Sequence, residues 1–498
     1  MGTRGYRVYR YKGYYHVHYN HYDSYPAGLG VQVAAGVPRD ADEYRAWLDR
    51  LRQSLDKDVE VFEEDNKANY DDAGYFITKV QPTNDIMIEW VYEIDLDHEV
   101  FLVDCSPLFS LKNMPPSSES FVDWIDFDSY GHRSYHNITP REYRYNWTVA
   151  PPTVDDAVID HYTTRYPDGE FHSSVSGLFD TTATSPSSCF AVRTALYEVL
   201  IARMMQTSEV GRGVRVLETI ADRADIPQTL FAIGVGMIQV TIGHMLFSKT
   251  PKPIGLSGDP STFSWLSPDI CLRITTHLDD ERHMKKSVFE LVEELTVNRK
   301  HNIVVFGILF SFFHCVIVRV DVNNGFKTTA PLQFLPSFHA VSPSTPGITV
   351  VAALAYHCLE NSPLTNAPPC IQPNHFLHDV PLDILELIAK LLAPADLQNL
   401  CAAVPVSKAA AQSTLRYPHI EERLLLSVVE NVKPQQAKKA KKKLRSLNLS
   451  KTFCTTIRGS PGSKITVGAG YEWFDLCFGT GDVEKVAWTE ASDLSRAE

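Results

Sequence analysis

Residues 5–20, GYRVYRYKGYYHVHYN, leave the chain little choice of local structure. Lys12-Gly13 supplies a two-residue turn, with glycine accepting the positive φ that so short a hairpin needs. That turn sets a register: Tyr11 opposite Tyr14, Tyr9 opposite His16, Val8 opposite Val17 and Arg7 opposite His18. Side chains two apart share a face of a strand. One face then carries Tyr6, Val8, Tyr15, Val17 and Tyr19, with Arg10 as its polar member, and is expected to be the core side. The other carries Arg7, Tyr9, Tyr11, Tyr14, His16 and His18 and is the more polar. His16-x-His18 is a proper strand spacing for two metal ligands. Arg7 directly across from His18 sets a fixed positive charge beside such a site. That disfavours a metal and leaves Arg7, His16 and His18 as a possible ligand or partner face. The plainer reading is a structural hairpin held by aromatic cross-strand pairs. No cofactor is expected.

The hairpin exits through Asp23-Ser-Tyr-Pro26, a strand end closed by Pro26 and Gly28. Gly28-Leu-Gly30 fails as a dinucleotide fingerprint, because Val33 stands where the third glycine belongs. Removal of Met1 would expose Gly2, which offers no nucleophile for an N-terminal-nucleophile hydrolase. Residues 1–30 resemble the start of a group of uncharacterised fungal and bacterial proteins. These begin Gly-Thr-Arg-Gly and run on into a segment like YNHYDSYPAGLG (19–30). The resemblance implies a shared N-terminal domain and no established activity.

A helix is expected near residues 40–57, where Tyr44, Trp47, Leu48 and Leu51 share a face. Residues 88–104 alternate: Trp90, Tyr92, Ile94 and Leu96 on one side, Glu89, Glu93, Asp95 and Asp97 on the other. Clustered carboxylates suit a divalent cation or acid–base work, but the expected reading is the wet face of a half-buried strand. No further histidine or glycine-loop motif completes a site. Pro/Ser-rich stretches at 106–118, 172–189, 249–262 and 360–376 read as breaks. Between them, 191–206, 213–247 and 280–297 read as helices and 303–320 as a pair of buried strands. His314 and Cys315 would point to opposite faces of their strand, which excludes a nucleophile–base pair between them and favours a plain buried thiol.

At 498 residues the chain has room for two to four cores. A net charge of -13 repels nucleic acid and anionic membrane, so nucleic-acid binding is not expected. The uncharged stretch 230–247 barely reaches spanning length and carries Gln239, Thr241 and His244, so a buried helix is expected and no membrane span. Nine cysteines, an odd number with no Cys-x-x-Cys, read as reduced intracellular thiols. The start lacks an apolar signal core, and Tyr6 occupies the Ser/Thr position of a myristoylation pattern. A cytoplasmic and/or nuclear location follows, with the sequons at Asn137, Asn146 and Asn448 unmodified. There is no G-x-S-x-G and no H-E-x-x-H, and GSPGSK (459–464) lacks the adjacent Gly-Lys of a phosphate loop.

Residues 380–403, VPLDILELIAKLLAPADLQNLCAA, form a compact helical pattern. Pro381 fits a first turn, and Asp383 and Glu386 suit its positive end. Leu382, Leu385, Ile388, Leu391 and Leu392 follow helical spacing, and Ile384 and Leu387 widen the stripe. Pro394 interrupts it, and Leu397, Leu400 and Cys401 supply a short second helix. The segment resembles an F-box: residues 380–385 match the family's Leu-Pro-x-Glu/Asp-Ile-Leu opening, with Val380 for the first leucine. Residues 392–397 match its Leu-x-Pro-x-Asp-Leu element. The third helix (406–415) lacks the family's bulky aromatic and arginine. The resemblance implies a module that docks on the Skp-type adaptor of a cullin-RING ubiquitin ligase. Pro381, Leu382, Ile384, Leu385, Ile388, Leu391 and Leu397 would make or support the contact, and the chain would be a non-catalytic receptor for a protein substrate. The basic run 433–445 suits nuclear import, a nucleic-acid patch or a solvated helix face. Residues 471–490 read as strands around Gly479-Thr-Gly481.

The expected fold is α+β and multi-domain. An α+β N-terminal domain spans 1–150 and a mixed helix/strand domain 190–358. The F-box-like module with its basic extension spans 376–446, and a small β segment 447–498. The competing functional reading is an enzyme or ligand-binding protein using the N-terminal domain, its His/Arg and Asp95/Asp97 faces converging on one pocket. A purely structural helical hairpin is the third.

Overall fold

Strands β1 (Gly5–Tyr11) and β2 (Tyr14–Asn20) pair antiparallel about Lys12 and Gly13, both at positive φ. Tyr11 faces Tyr14, Tyr9 faces His16, Val8 faces Val17 and Arg7 faces His18, the register that the turn dictates. The computed structural model describes residues 3–65, 74–128, 130–145, 149–167, 169–179, 187–205, 208–247, 263–299, 304–323, 325–335, 344–361 and 380–392. Beyond these it describes 396–397, 414–420, 423–430, 463–469, 472–479 and 487–488. The architecture is α+β, and the chain divides into two units, Met1–Thr148 and Val149–Glu498.

In the first unit, the wide turn Pro26–Gly30 runs into α1 (Val31–Ala35), followed by α2 (Ala41–Asp65) and β3 (Tyr75–Thr78). Then come β4 (Trp90–Asp95), β5 (Val100–Val103), β6 (Ser106–Ser110), α3 (Ser118–Asp123) and a small hairpin of β7 (Ile125–Phe127) and β8 (Arg133–Tyr135). The sheet order is β3-β2-β1-β4-β5-β6, with β1 and β4 parallel and the other neighbours antiparallel.

The helix expected at 40–57 runs on to Asp65 because Leu55, Val59 and Phe62 continue its apolar stripe. The expected core side of the hairpin is the lesser of two. Tyr9 and Tyr11 pack on the main core with Tyr44, Leu48, Tyr92 and Ile94, whereas Val8 and Val17 meet Ile88 and Val91 in a smaller cluster. α2 covers the first face, and the β3–β4 connection folds Ile88 and the buried Pro82 over the second. Residues 106–118 are no domain break. Ser106–Ser110 is an edge strand, a position that tolerates Pro107, and Leu108, Phe109, Leu111 and Met114 are buried in the main core.

The second unit opens with α4 (Asp156–Arg165), α5 (Val175–Phe179), α6 (Ser188–Met205), α7 (Ser208–Val216), α8 (Gln228–Gln239) and β9 (Leu246–Phe247). The stretch 213–247 is thus several pieces and not one helix, because Asp222 caps a short turn and Pro227 starts α8 afresh. No helix among the described residues is long and apolar enough to cross a membrane. A sheet follows from β10 (Ser264–Ser267), β11 (Ile270–Ile274), β12 (Val305–Phe310), β13 (His314–Val320), β14 (Phe326–Thr328) and β15 (Leu332–Gln333). α9 (Glu281–Asn298) makes the crossover between the parallel β11 and β12 and buries Val288, Leu291, Val292 and Leu295. β12 and β13 are the antiparallel pair read from 303–320, and Cys315 is a buried thiol whose pKa burial pushes far up.

α10 (Pro346–Asn361) and α11 (Leu382–Leu391) precede β16 (His419–Ile420), β17 (Arg423–Glu430), β18 (Ser463–Ala469), β19 (Glu472–Gly479) and β20 (Ala487–Trp488). These strands form a sheet in the order β20-β18-β19-β17-β16-β9. The strands on either side of Gly479-Thr-Gly481 do not pair with each other: β19 pairs with β17 and β18, and β20 runs parallel to β18. The basic run 433–445 lies outside the described residues.

Gly28 and Gly30 serve packing. A Cβ at Gly28 would stand 2.0 Å from the Asp23 carbonyl oxygen, and one at Gly30 2.8 Å from the Tyr92 ring. Tyr92 is wholly buried and donates its hydroxyl to the Ser24 carbonyl at 2.9 Å, so the ring has nowhere to retreat. Gly30→Ala is expected to cost about 1–3 kcal/mol, read as a lowered urea midpoint of the full chain.

Candidate functional site

Two sets of polar side chains in the first unit sit on opposite faces of the sheet. On the α2 side, His16 is wholly buried, its Nδ1 2.9 Å from Tyr75 Oη, and Tyr75 donates to Asp58 Oδ2 of α2 at 3.3 Å. The His18 ring lies 4.7 Å from that of Tyr75, and Tyr14 donates to Glu63. Burial first, then the Arg7 charge, holds the pKa of His18 down to about 4, and burial lowers that of His16. Both rings are neutral at neutral pH. His16 therefore lies beneath α2, and the half-buried Arg7 and His18 share its face of the sheet.

On the other side, the parallel register puts Arg10 beside Asp95 and Val8 beside Glu93. Asp95 Oδ2 accepts from Arg10 and lies 2.8 Å from His98 Nδ1, and its Oδ1 accepts from the N–H groups of Asp97 and His98 at 2.8 and 3.0 Å. Asp97 in turn accepts from the N–H groups of Lys12 and Gly13 at 2.8 and 3.1 Å, locking the β4–β5 turn to the hairpin tip. Glu93 is 1% exposed, and its hydrogen bond is from Gln81 Nε2 at 3.4 Å. Burial, then the Asp95 charge, pushes the Glu93 carboxyl up to about 7; burial pushes the neighbouring Tyr15 phenol up to about 12.

The expected wet face is corrected in part: Glu89 and Asp97 are exposed, but Glu93 is buried beneath Gln81 of the β3–β4 connection and Asp95 is buried beside Arg10 and His98. The His/Arg set and the acidic set do not converge. Arg10, Tyr15 and Gln81 complete the acidic set and were not singled out by sequence. Arg10, the polar member of an apolar face, was the signal, but its partner lies 85 residues away. Among the described residues, no group of three or more His, Cys, Asp or Glu could hold a metal ion.

In the second unit, Pro381 directly precedes α11 and its carbonyl accepts from the N–H groups of Ile384 and Leu385, both at 3.1 Å. Leu385, Ala389, Leu397 and Leu415 form one buried cluster, with Val380 and Leu392 against it. Pro381 is exposed, Ile384 is 41% exposed and Ile388 is half-buried. The side chains of Leu382 and Leu391 lie outside the described residues, as do Pro394, Leu400, Cys401 and 406–413 of the expected third helix.

The chain following that cluster is fixed to α6. The wholly buried Arg193 donates to the carbonyls of Thr241 and Gly243, both at 2.8 Å, and of Arg416 at 3.1 Å. His244 Nδ1 is 3.1 Å from the Leu415 carbonyl, the His419 N–H donates to the Met245 carbonyl at 2.8 Å, and Arg416 pairs with Glu360. Burial lowers the Arg193 guanidinium to about 10, still charged at neutral pH, and burial, with His244 nearby, lowers His419 to about 4. None of these anchors carries a local sequence signal, since each joins segments far apart in the chain.

Compared with known proteins, the chain matches no family model, no curated protein and no solved structure.

His18 and His419 are neutral in the folded chain and take up protons on unfolding. Their contribution is complete above the ordinary histidine value of about 6.5 and is lost as pH falls towards about 4. Urea titrations of the full chain between these limits should show the folding equilibrium weakening by up to about tenfold per pH unit for each histidine. His419→Gln, if it folds, should flatten the slope.

Proposed function

We propose that this protein is a non-catalytic F-box-type receptor or adaptor that recruits the Skp subunit of a cullin-RING ubiquitin ligase and brings it a protein substrate. The observation that carries this reading is the division of α11. Leu385 and Ala389 are taken up by Leu397 and Leu415, while Ile384 and half-buried Ile388 keep apolar surface toward solvent beside the exposed Pro381. A short helix that spends one apolar stripe on its own module and offers a second suits helix-in-groove recognition.

A purely structural hairpin would cover Ile388 as fully as Leu385, and Ile388 is only half-buried. An enzyme or ligand-binding reading of the first unit gains no support from Arg7, His16 and His18, which lie on the face of the sheet opposite Asp95 and so do not converge with it.

The test is capture of a purified Skp-type adaptor by the full-length chain. Binding is expected, with Ile384→Asp weakening it at least about tenfold while the urea midpoint stays put. Leu385→Ala should instead destabilise the module by about 2–5 kcal/mol. Absence of capture by the unaltered chain would overturn the reading.

A further inference from the structure

Glu93 is a buried acid without a counter-ion of its own. Its register neighbours are Val8 on β1 and Leu102 on β5, both buried and apolar. The polar and titratable groups around it are Arg10 from β1, Tyr15 from β2, Asp95 from its own strand, Cys105 from the β5–β6 turn and Gln81 from the β3–β4 connection. Asp97 and His98 lie beyond Asp95. Arg10 stands beside Asp95 in the register and is engaged by Asp95 and His98. Among the described residues, no Lys or Arg forms an ion pair with Glu93. A second negative charge here would face Asp95 in apolar surroundings and is disfavoured unless water reaches it.

The lid over Glu93 is the β3–β4 connection. It is pinned at several points: Cys105 Sγ donates to the Pro82 carbonyl at 3.2 Å, and Asn84 Nδ2 donates to Asp104 Oδ1 at 2.7 Å and to the Glu89 carbonyl at 2.9 Å. Asp85 Oδ1 accepts from the N–H groups of Met87 and Ile88 at 2.6 and 2.7 Å, shaping a tip on which Ile86 stands 96% exposed. Gln81 is the point at which this segment touches Glu93 directly, and its 3.4 Å hydrogen bond is the longest of the set.

We propose that Glu93 is a proton-operated fastening for residues 79–89. Protonated, it stays dry beneath Gln81 and the segment lies closed. Ionised, it draws in water, whose solvation of the buried carboxylate outweighs the single 3.4 Å hydrogen bond from Gln81 and loosens the segment that carries Val80, Ile86 and Met87.

The experiment is hydrogen–deuterium exchange of the full-length chain at about pH 6 and about pH 8.5, with rates corrected for the intrinsic pH dependence. Protection of 79–89 should drop at least about threefold at the higher pH, that of 5–20 should not, and Glu93→Gln should abolish the difference. Equal protection at both pH values, or an equal drop in Glu93→Gln, would overturn the proposal. Should Glu93→Gln fail to fold, carbon NMR of labelled glutamate carboxyls in the unaltered chain decides. Glu93 should titrate near neutral pH, and higher still in Gln81→Leu, which removes a hydrogen bond that favours the anion. Titration at the ordinary glutamate value of about 4.3 would overturn it.

Discussion

The parallel contact between β1 and β4 governs the first unit. Parallel neighbours cannot be joined by a tight turn, so the chain must travel away and return before β4 can lie beside β1. Here the excursion consists of β2, α2 and β3, and it lands α2 on one face of the sheet. Its last part, the β3–β4 connection, closes over the other face. The same pairing sets Arg10 beside Asp95 and Val8 beside Glu93. One topological choice thus buries His16 under a helix and Glu93 under a loop.

Much of the local structure was legible in the sequence for reasons that act over a few residues. A two-residue turn fixes its hairpin register, which is why residues 5–20 could be paired residue by residue. Alternation marked residues 88–104 as one strand, which the turn at 96–99 divides into β4 and β5, and a helical stripe located α2 and α11. What alternation cannot convey is which face a distant segment will cover. Glu93 looks like a solvent-facing carboxylate until residues 79–89 are folded over it, and Asp95 until Arg10 and His98 close on it. Pro107 looks like a break until its strand proves to be an edge. The strands of the C-terminal sheet find partners well beyond their nearest turn, so the Gly479-Thr-Gly481 signal marked a strand end and not a hairpin. The F-box resemblance of residues 380–397 is of another kind, since it rests on a run of adjacent residues and needs no tertiary information.

In the second unit, a buried guanidinium, a half-buried imidazole and a backbone N–H do the joining. Arg193 from α6, His244 after α8 and His419 of β16 bring together stretches that are remote in sequence. Leu415 belongs both to the α11 cluster and, through its carbonyl, to this junction. The proposed docking helix is therefore continuous with a packed and hydrogen-bonded body at one end, although its own core is small.

Arg193 spends its charge on peptide oxygens and has no carboxylate partner among the described residues. A carbonyl acceptor is supplied by any residue, so substitutions at 241, 243 or 416 that keep the backbone path leave the grip intact. The arginine itself has no such latitude, because lysine cannot reach three diverging acceptors with a planar fork. Three of the junction's contacts thus depend on one side chain at one end and on backbone alone at the other.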